Sequence, residues 1–453
     1  MKAFLPLLFL LLAGLVTPGQ ARDTAAQPWE MLGDMLRKGR PPIDARRPPA
    51  PISKLESADL WDAFLTQVVK RSAGEARDGG QRQEFLFVLL SGRHDGVALL
   101  AREAAVPDPL RELFLLSWDR LAPLIRDLSR EVDAQVARQF QAFLKAGDAL
   151  GAAQRLGDAL GVRITPDALR ELARLLLSEK AGDPLAYDLA LDPELRSLFG
   201  FGAPLPPAER SRLLGASGLP WPIDPRGWLL PAAFAAPLSL AAPFDPETAA
   251  LARRLNNWLP TSSDLNAYLP EMHSLLQRTA EATLNQRASE GHALADEYHT
   301  LYRNLVLATA WQESCWRQFV RRKGKVQVIQ SGVGAVGLMQ VYPRVWRGFY
   351  DVAGLQSDVG YNGRAGAEIL HHYLRDYAIA RSDHSGGSDA DDLARGTYSV
   401  YNGGPGHLMR HRKPQQRADL RDIDASFLEK YEAVKAGKAL EVGRCFAAAE
   451  RPG

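Results

Sequence analysis

The chain has 453 residues, of which 46% are hydrophobic and 24% are charged, and its formal net charge at pH 7 is +2. This length exceeds what one compact core usually supports, so we expect two folded units joined by linkers. The near-neutral charge argues against a protein that wraps nucleic acid, and the composition is typical of a globular protein. Any binding selectivity must therefore come from local sites.

The first 21 residues have the pattern of a secretory signal peptide. Lys2 precedes an apolar run over residues 4–16, and small residues lead to a cleavage position near Ala21. A buried first helix and a retained anchor are the alternatives, but the run is shorter than the roughly 20 residues that span a bilayer. We expect an exported, periplasmic protein that is soluble after cleavage and has no stable membrane insertion.

Two linkers and one helical domain are predicted before residue 246. Residues 22–52 form a Pro-rich leader, and residues 53–200 form an all-helical domain in which apolar residues recur at helical spacing. A clear helix start lies at Thr165 and Pro166. Residues 201–245 contain prolines too densely for a long helix and form a Pro-rich connector. The pattern indicates neither a role nor a protein partner for the helical domain.

Residues 246–445 form the second domain, which is again mostly helical. After Glu313 the sequence alternates like a short strand and then becomes rich in glycine. The predicted fold class is therefore mainly α, with a C-terminal α+β domain that has a small β element beside Glu313. His371 and His372 lack further ligands at metal spacing, so we expect them on a solvated helix face. We predict no metal and no cofactor.

Glu313 is the candidate catalytic residue. The helix over residues 301–311 is apolar around most of its circumference, and Glu313 lies at its C-terminal end. Burial and the negative end of the helix dipole both raise the pKa of a carboxyl at such a position. A carboxyl with a raised pKa keeps its proton near neutral pH and can protonate a leaving oxygen. A salt-bridged or helix-capping Glu is the structural alternative.

Further segments contribute candidate substrate-binding residues. Glycines allow the backbone to approach a ligand closely, and neutral amide and tyrosine side chains suit hydrogen bonding to sugars or stacking on them. The candidates on these grounds are Gly337, Gln340, Tyr401 and Asn402.

This ordered set of motifs, within residues 294–412, resembles the soluble lytic transglycosylase family, whose catalytic domain is lysozyme-like. In that family a catalytic Glu is followed by Ser, then by a Gly-Leu-Met-Gln segment and a Tyr-Asn-x-Gly segment. The corresponding positions here are Glu313-Ser314, residues 337–340 and residues 401–404. The resemblance therefore adds Ser314, Leu338, Met339 and Tyr342 to the candidate substrate-binding residues. Two departures are a longer gap after Ser314 and Tyr342 at a position where Met is frequent.

The resemblance implies cleavage of the bond between N-acetylmuramic acid and N-acetylglucosamine in peptidoglycan glycan strands. Glu313 would protonate the glycosidic oxygen and then take the proton of the C6 hydroxyl, so that a 1,6-anhydro ring closes without water. A lysozyme-type hydrolase on the same scaffold and a catalytically silent cell-wall-binding module are the alternatives. Nothing in the pattern suggests a nucleic-acid partner.

Two cysteines and two clusters of basic residues are the remaining candidate features of the sequence. An even cysteine count in an oxidising compartment favours a disulfide between Cys315 and Cys445, and two separate buried thiols are the alternative. The basic clusters over residues 317–325 and 410–417 either contact carboxylates of the peptide stems or form solvated faces.

Overall fold

The computed structural model describes residues 53–75, 79–101, 108–155, 164–177, 182–187, 189–215, 240–382, 389–413 and 415–449. The predicted signal peptide and the whole predicted leader lie outside these residues, as does the middle of the predicted connector. Within the described ranges, no helix combines the length and the apolar character that a membrane crossing requires.

The N-terminal part is helical, and polar side chains cap several of its helices. Ser53, Asp108 and Thr165 each accept a hydrogen bond from a backbone N–H of the first turn, which otherwise has no partner. The helices are α1 (Lys54–Ala73), α2 (Gly79–Ala101), α3 (Pro109–Leu128), α4 (Ala134–Arg155), α5 (Pro166–Arg174) and α6 (Pro193–Leu198).

The C-terminal part is also mainly helical and contains one small sheet. Its helices are α7 (Pro246–Asn256), α8 (Leu265–Ser289), α9 (His299–Ser314), α10 (Val352–Ser357), α11 (Val359–Tyr373), α12 (Ala390–Gly403), α13 (Ala418–Lys435) and α14 (Arg444–Ala449). A π-helical segment, Leu374–Ile379, follows α11 directly.

The sheet is an antiparallel hairpin of β1 (Phe319–Arg322) and β2 (Lys325–Val328) that begins shortly after α9 ends. Lys323 and Gly324 connect the strands, and both have positive φ angles, 48° and 77°. Two such residues form the tight turn whose twist matches that of paired strands. The predicted fold class, mainly α with a lysozyme-like α+β C-terminal part, is confirmed.

The helix α11 corrects one expectation. Every residue of α11 is buried, including His371 and His372, because the helix packs against α7, α8 and α12. The expectation that these two histidines lie on a solvated face was therefore wrong. Apolar neighbours such as Tyr373 and Leu374 predict that one face of the helix is buried. They do not predict that the opposite face is covered as well.

The N-terminal and C-terminal parts share one continuous cluster of buried apolar side chains. A backbone bridge pairs Leu191 with Gly348, and the Asp192 N–H donates to the Gly348 carbonyl at 2.7 Å. Phe201 inserts beside Trp346 and Phe349, with ring centroids 5.6 and 5.1 Å away. The segment after α5 thus packs directly on the part of the chain that follows Glu313.

A buried ion pair lies within this contact. Arg196 is fully buried and donates to both carboxylate oxygens of Glu368, at 3.0 and 3.1 Å. Arg196 also donates to the Phe349 carbonyl at 2.8 Å, and the Tyr350 hydroxyl donates to Glu368 at 2.7 Å. These bonds give hydrogen-bond partners to both charged groups. A buried ion pair destabilises the fold unless its charged groups have such partners.

We expect Arg196→Met to lower the free energy of unfolding by about 3–5 kcal/mol, because it leaves the Glu368 carboxyl buried without its partner. Urea denaturation followed by circular dichroism measures this change. Arg130→Met is the matched control, since Arg130 pairs with Asp127 on the surface with 72% of its side chain exposed. Exposed pairs contribute little, so the control should leave the urea midpoint nearly unchanged. Equal midpoints for the two variants would contradict this account of the ion pair.

Candidate active site

Glu313 lies in the last turn of α9 and is partly buried. The Tyr398 hydroxyl, on α12, donates a hydrogen bond to Glu313 Oε1 at 2.9 Å. Burial raises the pKa of Glu313 to about 7, and the hydrogen bond from Tyr398 acts in the opposite direction. A carboxyl with this pKa exchanges its proton near neutral pH, as a general acid must.

Among the described residues, no basic side chain forms an ion pair with Glu313, and no neighbouring charge acts on its pKa. Its carboxyl therefore differs from that of a salt-bridged surface Glu, which is held ionised by its partner. Tyr398 is a neutral partner whose own pKa burial raises well above its usual value, with Glu313 adding to the effect.

The chain turns sharply immediately after Glu313. Cys315 and Trp316 both have left-handed backbone conformations, with φ angles of 52° and 57°. Such angles are unfavourable for residues with a side chain and persist only where the surroundings hold them. Trp316 is fully buried and donates from its indole N–H to the Leu307 carbonyl at 3.1 Å, and the Tyr268 hydroxyl donates to the Trp316 carbonyl at 2.7 Å.

A disulfide joins Cys315 to Cys445, with a Cα–Cα distance of 6.1 Å. Because Cys315 is two residues beyond Glu313, the bond links the end of α9 to the start of α14. The cross-link closes a loop of 130 residues. This loop contains the hairpin, the glycine-rich segment (residues 332–340) and α12.

Three polar side chains hold the segment 337–340 beside α9. The Ser314 hydroxyl donates to the Leu338 carbonyl at 2.6 Å. Gln318 accepts from the Leu338 N–H at 2.7 Å, and Asn362 accepts from the Met339 N–H at 2.8 Å. Leu338 and Met339 are fully buried, so neither residue is exposed to a ligand, in contrast to the expectation that they bind the substrate directly.

Gly337 is required by the same arrangement. Its φ angle is 78°, and an added Cβ would lie 2.4 Å from Asn362 Nδ2 and 2.5 Å from Gln318 Oε1. No real side chain tolerates such contacts, so only glycine fits here. Gln340 also has a positive φ angle, 47°, and its amide donates to the Gly337 carbonyl at 2.8 Å.

The last turn of α12 carries Tyr401 and Asn402. The Tyr401 hydroxyl donates to the Met339 carbonyl at 2.6 Å, which links α12 to the glycine-rich segment. Asn402 is exposed, and its side-chain oxygen accepts from Arg410 Nη1 at 3.0 Å. Arg410 is itself buried on Asp424, so this member of the second basic cluster neither lies on a solvated face nor reaches outward.

Tyr342 lies farther along the same segment. It lines a cavity of about 330 Å³ together with Asp59 of α1 and with Arg344 and Arg347. The structure thus brings Ser314, the segment 337–340 and Tyr401 together around the end of α9, and places Tyr342 at the junction with the N-terminal part.

Sequence reasoning missed Tyr398, Gln318 and the role of Asn362. Tyr398 had a usable signal, because it precedes Tyr401 by three residues and such residues share one face of a helix. Gln318 had none, since its partner Leu338 lies 20 residues away across a loop. Within the described ranges, no group of three or more His, Cys, Asp or Glu side chains is placed to hold a metal ion.

We expect no free thiol in the denatured, unreduced protein. Reduction should lower the free energy of unfolding by up to about 4–5 kcal/mol, because a loop of this length loses much entropy in the unfolded chain when it is closed. Thiol titration in denaturant, followed by thermal unfolding with and without reductant, measures both effects. Two titratable thiols before reduction would show that the cysteines are not bonded in solution.

The comparisons with known proteins agree with this site. Residues 294–423, less than a third of the chain, match the family model described as the transglycosylase SLT domain. No curated protein and no solved structure matches the chain. The matched range contains Glu313, the glycine-rich segment and α12. Residues 294–423 are therefore a transglycosylase SLT domain, as the resemblance to soluble lytic transglycosylases predicted, and this domain supports lytic transglycosylase activity on peptidoglycan.

Proposed function

We propose that the protein is a peptidoglycan lytic transglycosylase in which Glu313 is the general acid and then the general base. The observation that carries the proposal is a partly buried carboxyl with a pKa of about 7 inside the matched domain. General acid–base catalysis is most efficient when the pKa of the catalytic group lies near the operating pH.

In the first step the protonated Glu313 carboxyl gives its proton to the glycosidic oxygen, and the bond from C1 of N-acetylmuramic acid to that oxygen breaks. In the second step the resulting carboxylate takes the proton of the C6 hydroxyl of the same sugar. The C6 oxygen then bonds to C1, which closes the 1,6-anhydro ring and returns Glu313 to its protonated form. No water is consumed, and the carboxyl has a role in each protonation state.

The surroundings of Glu313 favour this mechanism over hydrolysis. Retaining glycosidases place a second carboxylate about 5–5.5 Å from the acid, and inverting ones place it about 6.5–9.5 Å away. Among the described residues, no second carboxylate acts on the pKa of Glu313, whereas one at the retaining distance would raise it further. An internal hydroxyl nucleophile needs no second carboxylate.

The other motif residues have positioning roles in this proposal. Gln340, Tyr401 and Asn402 would orient the sugar, and Ser314 would hold the glycine-rich segment against α9. Because peptidoglycan lies outside the cytoplasm, the proposal includes export by the signal peptide predicted over residues 1–21. A catalytically silent wall-binding module has no use for a carboxyl that is kept protonatable at neutral pH.

We expect purified sacculi digested by the protein to release 1,6-anhydro-muropeptides, which mass spectrometry distinguishes because they are lighter by one water than lysozyme products. Glu313→Gln should reduce this release by about 10²–10⁴-fold, since the amide retains the shape of the side chain but cannot transfer the proton.

Glu297→Gln is the matched control, because it makes the same chemical change at an exposed position outside the site. Its release rate should equal that of the native protein. Products with ordinary reducing ends would favour the lysozyme-type hydrolase, and a Glu313→Gln protein with more than about a tenth of native activity would exclude Glu313 as the acid.

The pH dependence gives a second prediction. Glu313 must be protonated to start the reaction, so kcat/KM on soluble glycan strands should fall as the pH rises through about 7. The Tyr398 hydrogen bond favours the ionised carboxylate and lowers its pKa. Tyr398→Phe removes this bond and should therefore move the descending limb to higher pH.

Tyr431→Phe is the control for this profile, because Tyr431 is also buried and stacks on Phe427, as Tyr398 does, whereas the hydroxyl that donates to Glu313 is that of Tyr398. Its profile should coincide with that of the native protein. A descending limb that stays in place in Tyr398→Phe would show that the limb does not report the carboxyl that Tyr398 contacts.

A further inference from the structure

Helix α2 of the N-terminal part contacts the end of α12, where the Tyr-Asn motif lies. Gly404, the residue after α12, has a φ angle of 89° and lies directly against His94. A Cβ added to Gly404 would be only 2.4 Å from the His94 Cβ and Cγ atoms. The His94 side chain therefore occupies the space that any other residue at position 404 would need.

His94 also makes a specific polar contact in the C-terminal part. Its Nε2 atom lies 2.9 Å from the Tyr373 hydroxyl, and Tyr373 is fully buried. Burial raises the pKa of Tyr401 well above its usual value, and the charges of Glu313 and Tyr373 add to this effect. The imidazole thus contacts both the residue after α12 and Tyr373, a buried side chain of α11.

The preceding residue of α2 contacts the chain shortly after the other motif segment. Arg93 is buried and donates to the Val345 carbonyl at 3.1 Å, five residues beyond Gln340. It also donates to the Thr66 hydroxyl of α1 at 3.2 Å, which ties this contact to the N-terminal core. One turn of α2 therefore contacts both the residue after α12 and the chain that follows the segment 337–340.

We propose that His94 is a positioning residue for the reaction: it fixes the C-terminal end of α12 and thereby the tyrosines that contact Glu313 and the Met339 carbonyl. The inference rests on the proposed function for its catalytic consequence. It gives the N-terminal helical part, which lies outside the matched domain, a direct role in the active site.

The role of His94 is one of shape and hydrogen bonding. Burial, followed by the nearby His407 and Arg93, lowers the pKa of His94 to about 3. The imidazole is therefore neutral at any pH at which the protein would act, and a neutral amide can replace its hydrogen bond. This property makes Gln the conservative substitution and Leu the disruptive one.

The test compares His94→Leu, His94→Gln and Asp95→Asn in the full chain. Asp95 follows His94 in the same helix but pairs with Arg120 on the surface of the N-terminal part, so it is the matched control. With soluble glycan strands as substrate, His94→Leu should lower kcat by about ten- to a hundredfold with little change in KM, since small displacements of catalytic groups have effects of this size. The kcat of His94→Gln should lie close to the native value, and the kcat of Asp95→Asn should equal it.

Amide hydrogen exchange provides a readout that does not depend on activity. His94→Leu should speed exchange in the peptides that cover residues 397–404, because the end of α12 loses its support, and Asp95→Asn should not. If the native protein releases no anhydro products, the proposed function fails, and the exchange rates still decide whether His94 supports α12. Native exchange and native kcat in His94→Leu would overturn the inference.

Tyr373→Phe tests the same contact from the other side if His94→Leu does not fold. It removes only the hydroxyl that His94 contacts and should also speed exchange at residues 397–404. Native exchange rates at residues 397–404 in Tyr373→Phe would overturn the inference.

Discussion

Burial of the Glu313 carboxyl among uncharged groups is the constraint on which the arrangement of the site depends. A cation beside Glu313 would stabilise its ionised form and lower its pKa. The nearest polar contact is instead the Tyr398 hydroxyl, which offers one hydrogen bond and no charge. The charged groups of the region are paired with each other farther away, as in Arg410 with Asp424. The site can therefore keep a proton on a carboxyl at neutral pH.

A carboxyl in this state is useful only if the groups around it stay in place, and no single helix supplies them. The glycine-rich segment has no regular secondary structure of its own, and its backbone is fixed by Ser314, Gln318 and Asn362. The end of α12 is fixed by Arg410 within the matched domain and contacts His94 of the N-terminal part. The buried pair of Arg196 and Glu368 holds the two parts together close to these contacts.

The sequence predicted those features that depend on local pattern. Caps and apolar spacing identified helices such as the one that begins at Pro166, and alternation after Glu313 predicted the strand of the hairpin that includes Lys325. Contacts between distant segments had no such signal. The burial of His371 follows from helices that pack on α11 from several directions, and Gln318 acts through a residue 20 positions later. Neither property can be read from the periodicity of one segment.

The same distinction explains why the sequence does not predict the left-handed backbone of the two residues Cys315 and Trp316. Neither Cys315 nor Trp316 is a residue type that favours positive φ, so local preference alone would continue the helix or extend the chain. Burial of the Trp316 ring, the bond from Tyr268 and the link to Cys445 together hold the unfavourable angles. Because the turn follows Glu313 within two residues, its conformation determines where α9 ends. The direction of the carboxyl thus depends on contacts from α8 and α14, outside every motif that identifies the domain.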